Sequence, residues 1–330
     1  MTSLENIKNR IYLAPFQGIT THVFREIYTR HFSGVDKLFT AFFSNVDQVK
    51  GSRNKVAELE QTHHNRIPVV PQILSKDAQE IILFGQYCHD KGFEEINWNL
   101  GCPFPRVANK KRGSGMLPYP EMVRQILDEA VPKLPLKLSV KCRLGYRSPE
   151  EILELMPVFN DFPLSELIIH ARIGTQLYKG AVNLDAFEQA SSQSKIPIAY
   201  NGDIFSAEDF LKMKSRFPVV ESWMLGRGLL ADPFLPSEIK GEPQPQDKKA
   251  PLRKYVDDLY VGYRRKMNDR LQAINVMKEF WSYLSTSFEQ PGKAFGKIKK
   301  GTSFDAYEDA VNKIFDSYSW KGWGGKLLLK

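Results

Sequence analysis

Eight short apolar runs recur through the first 225 residues, and their spacing constrains the fold more than any other feature of the chain. They occupy residues 11–16, 37–44, 69–74, 95–100, 137–143, 166–171, 197–201 and 222–225. Each is rich in β-branched, aromatic or Leu residues and is bounded by Gly, Pro, Asn or Asp, which is the pattern of a strand. Their starts lie mostly 25 to 32 residues apart, and residues 77–91, 120–134, 149–160 and 206–216 fill intervals with apolar residues at helical spacing. In 77–91 the side chains of Ile81, Ile82, Phe84 and Cys88 fall on one side with Gly85. The helix at 206–216 opens on Ser206 with Asp209 three positions on, a capping-box spacing. Strand and helix alternating eight times predict a closed parallel (β/α)8 TIM barrel in the α/β class, not an open doubly wound sheet. An open sheet that binds a dinucleotide also needs a Gly-x-Gly-x-x-Gly turn, and the loops after the first three runs contain none.

The pattern changes after the eighth run. A linker with Pro and Gln at 241–246 leads into helical runs at 252–267, 273–288 and 304–318, so the division expected is a catalytic barrel over 1–240 and an all-helical domain over 251–330. Charge divides in the same place. Residues 1–240 hold 29 Lys and Arg against 27 Asp and Glu, whereas 241–330 hold 17 against 11, so +6 of the net +8 sits in the last part. A basic appendix on a near-neutral body fits either a polyanion partner or ordinary solvated lysines, and the 293–300 segment is a candidate contact loop. With 42% hydrophobic and 25% charged residues and no apolar run near the ~18 residues of a membrane span, a soluble cytoplasmic protein without a secretory leader is expected. Three cysteines, Cys88, Cys102 and Cys142, without paired spacing argue against a disulfide framework and a zinc site. The His63-His64 pair has no ligand at metal spacing and reads as a solvated loop.

Active sites of such barrels lie at the C-terminal ends of the strands. Here those ends carry Ala14-Pro15-Phe16, Pro71-Gln72, Asn99 to Cys102, Lys141-Cys142-Arg143, His170-Ala171-Arg172, Asn201-Gly202-Asp203 and Gly226-Arg227-Gly228. A purely structural barrel has no need of polar residues on one rim of so many strands. Period two places Asn97 with Asn99, Lys141 with Arg143, and His170 with Arg172 on the inner face, and turns Cys142 toward the helices as packing. Cys88 reads as core. Gly101 allows a turn that presents Cys102, which on its own fits either a reactive thiol or a buried small hydrophobe. The loops after the last two strands are the usual phosphate sites of the fold, and Gly202, Gly226 and Arg227 there favour a phosphorylated ligand. The insertion at 103–118 directly follows Cys102 and is a candidate mobile lid.

Taken together these residues resemble the tRNA-dihydrouridine synthase family, in its bacterial type. The resemblance rests on Ala14-Pro15 with Gly18, Pro71-Gln72, Asn99-Leu100-Gly101-Cys102-Pro103, and Val140-Lys141-x-Arg143-Leu144-Gly145. It continues through Ile169-His170-Ala171-Arg172 with Gln176-x-Tyr178-x-Gly180, Asn201-Gly202-Asp203-Ile204 and Leu225-Gly226-Arg227-Gly228. It spans roughly residues 8–240 and is weaker beyond 250, where only Asn275-Val276-Met277-Lys278 is similar. Asn97-Trp98 and Cys142 depart from the family's usual residues.

The resemblance implies an FMN-dependent oxidoreductase that reduces a uridine of tRNA, in the D-loop, to 5,6-dihydrouridine with NADPH as electron donor. It implies hydride transfer from flavin N5 to uracil C6 and a proton from Cys102 to C5. FMN would be held by Ala14, Pro15, Phe16, Gln72, Lys141, His170, Asn201, Gly202, Asp203, Gly226 and Arg227. Asn99, Arg143 and Tyr178 would hold the base, and the basic helices would grip tRNA; no metal, membrane or obligate protein partner is implied. Trp320 and Trp323 fit either stacking on a base or packing, with packing the favoured reading. Two rival readings are an FMN barrel reductase for a small molecule and a tRNA-binding protein whose barrel has lost catalysis.

Overall fold

Pro71 accounts for the break at which the barrel's sheet begins and ends. In the computed structural model, which describes residues 9–45, 58–59 and 67–325, nine parallel strands pair in one sheet. The strands are β1 (Arg10–Leu13), β2 (Lys37–Phe39), β3 (Val69–Val70), β4 (Gln72–Ile73), β5 (Glu95–Leu100), β6 (Lys137–Gly145), β7 (Leu167–Ile173), β8 (Ile198–Asn201) and β9 (Ser222–Leu225). Their hydrogen-bonded order is β3-β2-β1-β9-β8-β7-β6-β5-β4. Only Pro71 separates β3 from β4. It has no N–H to donate, but its carbonyl accepts from Asn97 N at 2.8 Å. The two ends of the order are therefore one interrupted strand, and the sheet is a ring of eight strand positions, as expected. The run at 37–44 is regular only to Phe39, and Phe43 then bridges Ile73 across the seam. The His63-His64 pair and the stretch 1–6 lie outside the described residues.

Helices α1 (His22–His31), α2 (Ala78–Asp90), α4 (Pro120–Ala130), α5 (Glu151–Asn160), α6 (Leu184–Gln193) and α7 (Ala207–Arg216) pack outside the strands; α3 (Pro105–Ala108) is a single turn. Local chemistry starts several of them. Asp77 caps α2 by accepting from Gln79 and Glu80 N, and Ser206 with Asp209 forms a reciprocal capping box on α7. Outward strand residues such as Trp98 and Cys142 are fully buried in the layer between barrel and helices, as Cys88 is on α2. The Trp98 indole N–H is satisfied by the Ser75 carbonyl at 2.9 Å. Register aligns Asn97 with Ser139 and Asn99 with Lys141, which puts these side chains on the inner face.

Two expectations need correction. The 103–118 insertion is not free throughout: Gly113–Met116 forms a buried 3-10 turn whose Ser114 N and Oγ both donate to the Cys102 carbonyl, at 3.0 and 3.1 Å. That half is a buttress. The 293–300 segment is not a loop, because Pro291–Lys300 is helical.

After the short helices α8 (Arg227–Ala231) and α9 (Leu235–Ile239) come α10 (Lys249–Lys266), α11 (Gln272–Leu284), α12 (Pro291–Lys300) and α13 (Phe304–Ser317). They share a continuous apolar core with the barrel's first helix. A Cβ on Gly262 would lie 2.6 Å from Ile27 and 2.8 Å from Val23, so glycine lets α10 approach α1 closely. The Tyr255 ring meets Phe24, Tyr28 and Phe32 edge-on. Glu58 completes the junction by accepting from His22 on α1, pairing with buried Arg25 at 2.9 Å and with Lys266 on α10 at 3.3 Å.

Candidate active site at the barrel mouth

One cavity opens at the C-terminal ends of the strands, and every residue selected from the sequence as a site residue lines it. Ala14, Pro15 and Phe16 follow β1; Gln72 comes from β4; Asn99 and Cys102 from the end of β5; Lys141 and Arg143 from β6; His170 from β7 and Tyr178 from the loop beyond. Asn201, Gly202 and Asp203 end β8, and Gly226 and Arg227 follow β9.

Side-chain amides build its floor. Asn97 Nδ2 donates to Ser139 Oγ at 2.9 Å, Gln72 Nε2 to Asn97 Oδ1 at 2.8 Å, and Asn99 Nδ2 to Gln72 Oε1 at 2.7 Å. Asn99 Oδ1 then accepts from Gly101 N and Cys102 N at 3.0 and 2.9 Å. Such a turn, made by an Asn side chain bonding backbone two and three residues on, stops the strand and aims the next residue. Gly113, at φ +56°, leaves no room for a side chain, since a Cβ would lie 2.6 Å from the Cys102 carbonyl oxygen. Cys102 is thus fixed from both sides. The residue is 8% exposed, and burial pushes the thiol up, against the smaller pull of the Phe104 N–H, Arg143, Arg106 and Lys141. The thiol therefore stays protonated at neutral pH.

Cations crowd the opposite wall. Lys141 Nζ donates to Asn201 Oδ1 at 3.0 Å, and Asn201 Nδ2 in turn donates to the Met224 carbonyl at 2.8 Å, so Asn201 aims the lysine with both ends of its amide. Burial, and then the neighbouring Arg143, lower Lys141 to about 8. Burial followed by the charges of Arg143, Lys141, Arg172 and Arg227 holds His170 well below its usual range, so its ring is neutral. Arg143 is 1% exposed. Its Nε donates to the Gly101 carbonyl at 3.0 Å, and Nη1 donates to the carbonyls of Ile173 and Leu177 at 2.9 and 2.6 Å. One guanidinium therefore ties the Cys102 loop to the Tyr178 loop. It also holds Leu177 at φ 54°, an uncommon conformation for a branched residue, and lies 5.2 Å from the Tyr178 ring. Asn99 and Arg143 thus spend most of their hydrogen-bonding capacity on protein atoms.

Arg227 is not a free charge either. Asp203 Oδ1 accepts from Arg227 Nη2 at 2.6 Å, and the same carboxylate pairs with buried Arg172, whose Nη1 lies 3.0 Å from Oδ1. Asp203 therefore orients two arginines, which leaves one net positive charge in the trio.

Residues that sequence reasoning missed include two from α11. Glu279 and Tyr283 reach into the same cavity, and the Tyr283 ring meets Phe16 at 5.8 Å and 66°. Burial raises Glu279 and lifts Tyr283 to about 12. Phe205 also lines the wall. A hint was present in Glu279 and Tyr283 falling four apart on one helical face.

A family model described as "Dihydrouridine synthase (Dus)" matches residues 12–316. The tRNA-dihydrouridine synthase B of Pasteurella multocida is 31% identical over 268 residues, covering 78% of this chain and 79% of that protein. The tRNA-dihydrouridine(16) synthase of Neisseria meningitidis is 27% identical over 323 residues, covering 94% and 95%. Among solved structures, morphinone reductase superposes with a TM-score of 0.52 at 9% identity over 74% of this chain and 88% of that one. An old yellow enzyme homologue from Zymomonas mobilis gives 0.51 at 11% over 72% and 90%. These two likenesses show the barrel fold.

Proposed function

We infer the activity from family and cavity together: the chain belongs to the dihydrouridine synthase family, and it is a flavin-dependent oxidoreductase that reduces a uridine of tRNA to 5,6-dihydrouridine. We propose FMN as the flavin, NADPH as electron donor, a D-loop uridine as target and the cytoplasm as the place of action. No described helix is long and apolar enough to cross a membrane.

The residues present fit such a cofactor. Lys141, half-buried and without a carboxylate partner among the described residues, suits an electron-rich ring edge, and neutral His170 and Gln72 suit its polar atoms. At Gly226 a Cβ would stand 3.4 Å from Phe16 and 3.6 Å from Ala14, so glycine keeps the cradle between β1 and β9 open. Ala14, Pro15, Phe16, Asn201, Gly202 and Arg227 complete that cradle. The flavin, when bound, supplies the hydride that adds to the uracil ring.

The environment of Cys102 carries the mechanistic reading. A general acid must hold its proton until the acceptor carbon develops charge, and burial keeps this thiol protonated although three cations stand near. The Asn99 turn and the Ser114 buttress fix where Sγ presents the proton to C5 of the uracil. Arg143 keeps the thiol loop and Tyr178 in register, and Tyr178, 42% exposed, borders the base. A base in folded tRNA must be drawn out of its stack to reach a barrel mouth. Residues 251–330 form the docking domain in this reading, with Glu279 and Tyr283 at the boundary.

That boundary disfavours a small-molecule barrel reductase, because the helical region supplies part of the cavity wall. Retained Cys102, Lys141 and Arg143 argue against a binding protein without catalysis. The test is single-turnover: enzyme reduced by NADPH is mixed with unmodified tRNA, and flavin reoxidation and dihydrouridine are both measured. Stoichiometric formation of dihydrouridine is expected, and a bound flavin that leaves tRNA unchanged would overturn the proposal.

A further inference from the structure

The tail after α13 returns to the barrel mouth. Glu289 N donates to the Ser319 carbonyl and Lys321 N to the Ser287 carbonyl, both at 2.9 Å, so the tail pairs with the turn that follows α11. Ser287 Oγ donates to the carbonyl of Ala231, the last residue of α8, at 2.8 Å. Gly322, at φ +74°, turns the tail past Asp232, whose Oδ2 would lie 3.6 Å from a Cβ there. The turn delivers Trp323 face to face onto Phe205, with centroids 4.1 Å apart and planes at 15°.

Phe205 is the ring against which Arg227 rests. The guanidinium carbon lies 5.7 Å from the Phe205 ring and 5.4 Å from the Tyr178 ring, and Asp203 holds its Nη2. Beneath it, α8 packs directly on the Ile204 backbone, since a Cβ on Gly228 would come within 2.0 Å of the Ile204 carbonyl oxygen. Trp323, Phe205, Arg227 and Tyr178 thus form one run of contacts from the tail to the cavity. Besides that carboxylate the arginine has one long bond, from Nη1 to the Tyr178 carbonyl at 3.4 Å, so its long stem keeps freedom, and each flanking ring removes part of it.

We infer that Trp323 is a positioning residue for the cofactor site: by stacking on Phe205 it fixes the surface on which Arg227 lies, and so sets the arginine for the phosphate end of the ligand. The inference rests on the reading of Arg227 as a phosphate contact. It ties retention of a phosphorylated flavin to the docking of the tail, at a residue that does not itself line the cavity.

The test compares FMN with riboflavin, which has the same ring system and no phosphate, by quenching of flavin fluorescence on the full-length apoprotein. Trp323→Ala should weaken FMN binding by about 3- to 10-fold, the size of a lost ring stack, and leave riboflavin binding unchanged. Trp323→Phe should restore most of the loss, whereas Trp323→Leu, which keeps apolar bulk, should not. In an Arg227→Ala background Trp323→Ala should have no further effect on FMN. Equal weakening of both flavins, or FMN binding unchanged in Trp323→Ala and Trp323→Leu alike, would overturn the role of Trp323. A wild-type protein that binds FMN no better than riboflavin would instead overturn the phosphate reading of Arg227 on which it rests.

Discussion

Asn99 and Cys102 are joined through a single side-chain oxygen: Oδ1 of Asn99 accepts from the backbone N–H of Cys102 at 2.9 Å while it also takes that of Gly101 at 3.0 Å. The amide nitrogen of the same side chain reaches Gln72 on the neighbouring strand. A residue that resemblance assigns to substrate is therefore also the hinge that aims the proposed proton donor. Asn99→Ala should lower the rate of uridine reduction by about 10²-fold, as expected when a reacting group is misplaced by about 1 Å. Its rate of flavin reduction by NADPH should stay near wild type. Rapid-mixing measurement of the two half-reactions checks this, and an equal loss in both would assign Asn99 to the flavin instead.

Replacing the thiol itself should leave the amide ladder intact. Cys102→Ala should reduce transfer to tRNA by roughly 10²–10⁴-fold, with flavin content preserved. Cys142→Ala is the internal control, since that thiol is fully buried against the helices and its loss should lower thermal stability rather than turnover. Because burial raises the Cys102 thiol, transfer in the wild type should be fastest at lower pH and fall as pH rises through the raised value, when the proton is lost. Single-turnover flavin reoxidation across pH checks both points, and equal rates for Cys102→Ala and wild type would reject the assignment.

Much of this site was legible because a strand has a period of two. Lys141, Cys142 and Arg143 alternate in, out and in, and one thiol could be assigned to packing from spacing alone. The seam at Pro71 was hidden inside one apolar run, because a residue without an N–H interrupts pairing while leaving hydropathy unchanged. What Asn99, Arg143 and Asp203 do with their polar atoms was not legible, since it depends on carbonyls and cations supplied by other strands. Glu279 and Tyr283 were missed for a related reason: the helix that carries them reaches the cavity through packing of α10 on α1, which no local pattern in 272–284 encodes.

Lys141 offers a readout tied to pH. Burial lowers it to about 8, so its cation is present below that value and is lost as pH rises through it. FMN affinity should therefore fall between about pH 7 and pH 9.5, and Lys141→Met should bind FMN more weakly at pH 7 with little further loss at high pH. Stability of the apoprotein should respond with the opposite sign. The folded-state value lies below the ~10.4 of an exposed lysine, so between the two the unfolded chain holds more protons and the Lys141 contribution improves as pH rises. Fluorescence titration with FMN at the two pH values checks the first effect. An affinity that does not change with pH in the wild type would show that the Lys141 charge is not felt by the ligand.

The basic face of the helical region is where a polyanion should be felt most. On α12 the ammonium groups of Lys293, Lys297, Lys299 and Lys300 have no hydrogen bond or ion pair among the described residues, while Ala294 and Ile298 anchor the opposite side of the helix in the core. Four unpaired cations on one short helix suit phosphates spaced along an RNA backbone. Changing Lys293, Lys299 and Lys300 together to Gln should weaken tRNA binding and flatten its dependence on salt, with the slope of log affinity against log salt reduced by up to ~0.9 for each phosphate contact removed. FMN affinity should not change, because α12 does not line the cavity. Filter binding of tRNA at several salt concentrations gives the slope directly. A slope equal to that of the wild type would move the tRNA contact away from α12 to another face of the molecule.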